Sequence, residues 1–185
     1  NGCLLIFDEV QSGVGRTGPM FAHQATGIEP DMMTLAKALG NGIPIGAMLT
    51  HAPIGASLVP GTHASTFGGN PLAAASACAV LDTLTAGGVL EQARKVAEHM
   101  DRSLDAMAER LGPQRVVAIR GTGHLRAIEL VRSVSGVIDR CREAGVLVIS
   151  AGAKNVRLAP PLIIDEDQID DGLAVLEDAI AADAG

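Results

Sequence analysis

Two residues, Asp8 and Lys37, carry the chemistry that this sequence offers most plainly. Asp8 follows the apolar run Cys3-Leu4-Leu5-Ile6-Phe7 and opens the tetrad Asp8-Glu9-Val10-Gln11. Most strands end in polar loops, so the tetrad alone reads as a strand running out into solvent; the sharper reading is a site at its carboxyl end. Lys37 stands in "MMTLAKALG", and the chain holds 11 arginines against three lysines. Lys95 falls on the polar face of a helical pattern and Lys154 in a turn, whereas Lys37 is flanked by apolar residues. Such a lysine either snorkels out of an apolar segment or serves as a nucleophilic amine. Arginine cannot form a Schiff base, because its guanidinium is never deprotonated in a protein. A lysine desolvated by apolar neighbours is shifted toward the reactive neutral amine.

The elements that must position this pair are short. Residues 3–7 are continuously apolar, which predicts a strand covered on both faces, as in a parallel sheet. "MMTLA" (32–36) and "IPIGAMLT" (43–50) read as two further strands of one α/β layer. Asp8 and Lys37 then lie at the carboxyl ends of strands, the edge where α/β folds bind ligands. A carboxylate and a lysine there match what pyridoxal 5'-phosphate requires: an amine for its aldehyde, and an anion that keeps its pyridine nitrogen protonated.

Further along, "GTHASTFGGNP" (61–71) is a loop, with Asn70 as N-cap and Pro71 at the first helical position. That helix ends at Gly87-Gly88. Leu90, Ala93, Val96, Met100, Leu104, Met107 and Leu111 repeat at three- and four-residue spacing, predicting an amphipathic helix closed by Gly112-Pro113. "RVVAIR" and "LRAIEL" flank a turn. A short helix in "VIDRCREAG", strands in "VLVIS" and "VRLAP", and a last helix capped by Asp165 with Gln168 complete the chain. The change of pattern near 80–90 predicts two domains, 1–85 and 86–185.

Composition narrows the class. The 185 residues are 48% hydrophobic and 19% charged, which suits a packed globular protein. A net charge of -7 supplies no basic footprint for nucleic acid or an anionic membrane. No apolar run approaches the roughly 20 residues of a membrane span. Cys3, Cys78 and Cys141 form neither a metal-type cluster nor an even disulfide set; they read as small core fillers in a reducing compartment. "GVGRTG" lacks the G-x-G-x-x-G spacing and a following Gly-Lys-Ser/Thr, so it is not read as a nucleotide loop. The chain starts at Asn1, one residue before an apolar strand, and is expected to be part of something longer.

"LLIFDEVQSGVGRTG", "EPDMMTLAKALGNGIPIGAM", "GTHASTFGGNPLA" and "VRLAPPLII" resemble, in order, the signature blocks of the class III aminotransferases. The third and fourth are most similar to the acetylornithine members. The resemblance spans essentially the whole chain. It implies an α/β protein of PLP-dependent transferase fold type I: the last part of the large domain, with a mixed, mostly parallel sheet, then a C-terminal α+β small domain.

Residue by residue, the resemblance implies that Asp8 partners the pyridine nitrogen, Val10 packs on a ring face and Gln11 bonds the ring hydroxyl. It implies that Lys37 forms the Schiff base and shuttles a proton. Ser65 and Thr66 reach the cofactor phosphate of a neighbouring subunit, and Arg157 grips a substrate carboxylate, for which its planar fork is suited. Each has a plainer reading: Val10 as core, Ser65 and Thr66 as loop hydroxyls bonding nearby backbone, Arg157 as a strand arginine facing solvent. Glu9 is expected to be structural or to support the residues that touch the cofactor, Arg16 to brace its loop or a subunit contact, and His63 and His124 to be solvated. His124 and Arg126 depart from the family, which is more apolar or glycine-rich there. The resemblance places the phosphate loop and the ring-stacking aromatic ahead of Asn1.

The implied activity is transfer of an amino group between N-acetylornithine, or a related ω-amino acid, and 2-oxoglutarate by ping-pong chemistry, in arginine biosynthesis. The implied protein is a cytoplasmic homodimer with a shared active site, without metal, nucleic acid or membrane. Alternatives on the same scaffold are 4-aminobutyrate, ornithine or other ω-amino acid transamination and glutamate-1-semialdehyde aminomutase. A non-catalytic homologue is the alternative of another class. The 185-residue piece alone is expected to be inactive.

Overall fold

A computed structural model describes residues 2–183. The chain divides into two compact units, Asn1–Leu90 and Glu91–Gly185.

The first unit is built on a three-stranded sheet: β1 (Ile6–Asp8), β2 (Met32–Leu35) and β3 (Ala47–Thr50), in that order. β1 and β2 run parallel with Asp8 opposite Thr34, and β2 and β3 run antiparallel with Leu35 opposite Ala47. A parallel pair needs a long crossover. Here it is an irregular segment, residues 9–31, holding only a 3-10 helix at Ala22–Ala25. The loop after β2 carries a second 3-10 helix, Lys37–Leu39, and β3 leads into the single turn α1 (Ala52–Gly55). None of these three helical turns has a periodic apolar stripe to announce it.

The expectation of a first strand covered on both faces is not met within this chain. Leu4, Leu5 and Ile6 are 53%, 40% and 55% exposed, and Met48 and Leu49 are exposed as well. Within the three strands only Met33 and Leu35, on one face of β2, are buried. Three strands do not supply the flanking helices that cover a parallel sheet.

Helix α2 (Pro71–Ala86) starts as the sequence predicts: Asn70 Oδ1 accepts from Ala73 N–H at 2.9 Å, and Pro71 occupies the first turn. It ends at Gly87, with Gly88 at φ 68°, a conformation that costs glycine nothing.

The second unit packs three helices with an antiparallel sheet. The helices are α3 (Val89–Leu111), α4 (Ser135–Glu143) and α5 (Glu166–Ala181). The strands β4 (Val116–Thr122), β5 (Leu125–Leu130), β6 (Ile149–Ser150) and β7 (Asn155–Leu158) lie in the order β4-β5-β7-β6. The predicted stripe of α3 is the core: Val96, Met100, Leu104 and Met107 are almost fully buried with Ile128, Val137, Cys141, Val156 and Leu176. α5 carries the predicted capping box, Gln168 N–H donating to Asp165 Oδ1 at 2.8 Å and Asp165 N–H to Gln168 Oε1 at 3.3 Å.

The strand predicted at 146–150 shrinks to Ile149–Ser150. At the sheet edge it pairs only with Arg157 and Val156 of β7. Two of the three cysteines are not core fillers: Cys3 and Cys78 are exposed, and only Cys141 is buried. Burial in this apolar setting pushes the Cys141 thiol above its usual pKa.

No single helix among the described residues is long and apolar enough to cross a membrane.

Candidate active site

The parallel register of β1 and β2 brings the two chemical residues to one edge. Asp8 is the last residue of β1; Lys37 follows two residues after β2 ends at Leu35. Asp8 Oδ1 accepts from Thr34 Oγ1 at 3.0 Å across the register and from Val10 N–H at 3.1 Å. The carboxylate is therefore oriented by a cross-strand hydroxyl and its own turn while staying exposed. Val10 is half-buried and Gln11 exposed, both on the turn that follows.

Lys37 has φ 47°, the left-handed region that L-residues avoid. A non-glycine residue held there costs about 1–2 kcal/mol, and such strain collects at functional sites. The turn is over-determined by its neighbours. Gly40 N–H donates to Lys37 O at 3.1 Å, and Ser76 Oγ of α2 donates to Gly40 O at 2.9 Å. A Cβ at Gly40 would run into the Ile43 carbonyl.

Lys37 itself is exposed, not enclosed by apolar neighbours as its flanking residues suggest. Its sequence neighbours Leu35 and Leu39 are buried, and the tight turn between them throws the lysine outward. It lines an open cleft of about 1370 Å³ together with Pro44, His63, Ser65 and Phe67. Ser65 Oγ accepts from Gly68 N–H at 2.9 Å, and Thr66 stands exposed between Ser65 and Phe67.

Arg157 lies in the second unit. It is half-buried on β7 opposite Ala127 and Ile149, and lines a largely apolar cavity of about 710 Å³ with Leu158 and Pro160.

Thr34 and Glu9 were not assigned to the site from sequence. Thr34 is recoverable from strand pairing alone, since it is the register partner of Asp8. Glu9 is 3% exposed and accepts three hydrogen bonds. His124, expected in solvent, is 1% exposed: Nε2 lies 2.9 Å from Ala93 O and Nδ1 3.3 Å from Pro161 O. Arg126 is buried beside it on the core face of β5 and paired with Asp101. His124 Nε2 and Arg126 Nε each have a polar partner within the protein. Among the described residues no cluster of His, Cys, Asp or Glu could hold a metal.

A carboxylate and a strained lysine follow paired parallel strands of an α/β unit, the lysine beside an open cleft, and together they offer the groups that pyridoxal 5'-phosphate needs. The donor set fits that group: an anion, an amide, a primary amine and hydroxyls. The model of the family "Aminotransferase class-III" matches residues 1–180, and the chain belongs to that family, whose members depend on pyridoxal 5'-phosphate.

Acetylornithine aminotransferase of Streptococcus mutans is 44% identical over 178 residues, covering 96% of this chain and 46% of the relative. Acetylornithine aminotransferase 1 of Bradyrhizobium diazoefficiens is 46% identical, over 98% and 44%. Among solved structures, ornithine delta-aminotransferase of Plasmodium falciparum superposes with a TM-score of 0.88 at 36% identity, covering 96% of this chain and 46% of that one. Acetylornithine aminotransferase of Elizabethkingia anophelis gives 0.87 at 35%, over 96% and 45%. The chain thus spans a little under half the length of the relatives it matches.

Proposed function

We propose that the complete protein is a transaminase of the acetylornithine type, moving an amino group between N-acetylornithine or a related ω-amino acid and 2-oxoglutarate in two half-reactions, in arginine biosynthesis. The observation that carries this reading is the placing of Asp8 and Lys37 at the carboxyl ends of two paired parallel strands. The names of the relatives support the acetylornithine assignment.

The cofactor supplies an electron sink when bound. Asp8, aligned by Thr34, pairs with the pyridine nitrogen and keeps it protonated. Val10 packs against a ring face and Gln11 bonds the ring hydroxyl. Lys37 would hold the cofactor through its amine, and the same amine would move a proton at the substrate α carbon. Ser65 and Thr66 bind a phosphate of a neighbouring subunit, a role supported by the exposure of their loop. Arg157 binds a substrate carboxylate through its rigid fork.

In this reading residues 1–85 belong to the cofactor-binding large domain and 86–185 to the small domain of a cytoplasmic homodimer with a shared active site. The 185-residue piece alone does not turn over, because it holds only part of the phosphate site.

Borohydride reduction of the full-length protein tests the assignment. Cofactor fixed on Lys37 supports it, and a Lys37→Ala variant with normal turnover overturns it. Ornithine or another ω-amino acid is the second reading, supported by the likeness to ornithine aminotransferase structures. A donor and acceptor screen separates the two. A full-length protein that develops no visible absorbance band with pyridoxal 5'-phosphate would instead be a non-catalytic homologue.

A further inference from the structure

We propose that Glu9 is a positioning residue, whose buried carboxylate holds the Asp8-Val10-Gln11 turn in register with the cofactor; the proposal rests on the reading of Asp8 as the pyridine partner. The main chain of Glu9 is tied on both sides: its N–H donates to Thr34 O at 3.0 Å, and its carbonyl accepts from Gly13 N–H at 3.0 Å. Its side chain is 3% exposed. Oε2 accepts from Ala22 N–H at 2.6 Å; Oε1 accepts from His23 N–H and lies 2.8 Å from His23 Nδ1.

The backbone donors open the 3-10 helix Ala22–Ala25, whose first N–H groups have no acceptor within the helix. One carboxylate therefore closes the middle of the crossover back onto the residue between Asp8 and Val10. Gly13 completes the closure, since a Cβ there would lie 2.9 Å from both Glu9 O and Glu9 Oε2.

A buried anion is tolerated only when its lone pairs are engaged, and here the donors come from a segment distant in sequence. Glu9 points inward while Asp8 stays exposed beside it. Fixing the one fixes the direction in which the other is presented. Pure support of the fold would require the same burial but would not couple to the cofactor, and this separates the two roles by experiment.

Glu9→Gln and His23→Phe are made in the full-length protein. Gln keeps one acceptor oxygen and puts an NH2 donor in place of the other. Phe removes Nδ1 but keeps a ring against Phe21, whose centroid lies 6.0 Å from that of His23 with 11° between the planes. Cofactor affinity of the apo protein is measured by fluorescence titration, alongside the visible band, amide exchange at residues 10–13 and 22–23, and the apo thermal midpoint.

The expected result for Glu9→Gln is faster exchange at those amides, a displaced band and affinity weaker by about tenfold, the loss of one charge-assisted bond. His23→Phe falls between it and wild type. Unchanged affinity and band in either folded variant, with only the midpoint lowered, overturns the proposal. If Glu9→Gln does not fold, His23→Phe decides. Asp8→Asn is the control. If it binds cofactor as wild type does, the reading of Asp8 fails and the proposal with it. If Asp8→Asn weakens binding and Glu9→Gln does not, only the positioning role is lost.

Discussion

Asp8 and Thr34 face each other in the parallel register of β1 and β2 and share a 3.0 Å hydrogen bond from Thr34 Oγ1 to Asp8 Oδ1. That contact aims the carboxylate without burying it. Thr34→Val keeps the branched shape and removes the donor. A hydrogen bond to a charged group is worth about 1.5–3 kcal/mol, and part of that is regained from water at this exposed position. The expected effect in the full-length protein is about tenfold weaker cofactor binding with little change in thermal midpoint. Fluorescence titration checks it, and wild-type affinity would show that Asp8 needs no such alignment.

Lys37 at φ 47° separates stability from chemistry. Lys37→Ala and Lys37→Gly both remove the amine and both abolish turnover. Glycine adopts that backbone freely, whereas alanine does not. Lys37→Gly is therefore more stable than Lys37→Ala by about 1 kcal/mol, read from denaturant midpoints of the two variants. Equal midpoints would mean that the turn relaxes when the lysine is lost.

Arg126 and Asp101 form an asymmetric pair. Arg126 is 5% exposed, its Nε donating to Asp101 Oδ1 at 2.7 Å, while the Asp101 side chain is 49% exposed. Arg126 Nη1 is buried and makes no hydrogen bond within the protein. Removing the acid strands a buried cation; removing the arginine leaves an acid that water can solvate. Asp101→Ala is expected to destabilise by about 1–3 kcal/mol, and Arg126→Leu, beside Ile128 and Leu130, by less. Chemical denaturation of both variants gives the order, and the reverse order would contradict this account.

His99, Ser103 and Asp170 join α3 to α5. His99 Nε2 lies 2.7 Å from Asp170 Oδ1, and Ser103 Oγ donates to the same oxygen at 3.0 Å. The His99 hydrogen bond holds the Asp170 carboxyl below the usual carboxylate range, with Ser103 assisting. A depressed folded-state pKa stabilises above the unfolded value, and that contribution is lost as pH falls through the folded pKa. Wild type should therefore exceed Asp170→Asn in thermal midpoint at pH 6, with the gap closing below about pH 4. A gap that does not narrow at all as pH falls below about 4 would assign the effect to packing. The group is exposed, so the gap is small.

Much of the frame was legible because local chemistry states it. Asn70-Pro71 and Asp165 with Gln168 announce helix starts through orphan N–H groups that need acceptors nearby in sequence. The 3.6-residue stripe from Val96 to Leu111 names its own buried face. The position of Asp8 and Lys37 after two strands was legible for a similar reason: a polar residue that closes a short apolar run marks the strand's end.

The sequence by itself determined the family, the starts of α2 and α5, the buried stripe of α3 and the residue types at the carboxyl ends of the first strands, all of which depend on short-range spacing. Only the tertiary structure decided that Lys37 is strained and exposed, that Glu9 closes a loop through Ala22 and His23, that His124 and Arg126 lie inside, and that Arg157 is half-buried against a cavity. Each of these depends on a strand register, a backbone angle or a donor many residues away. A pattern read along the chain contains no term for the groups that folding brings alongside.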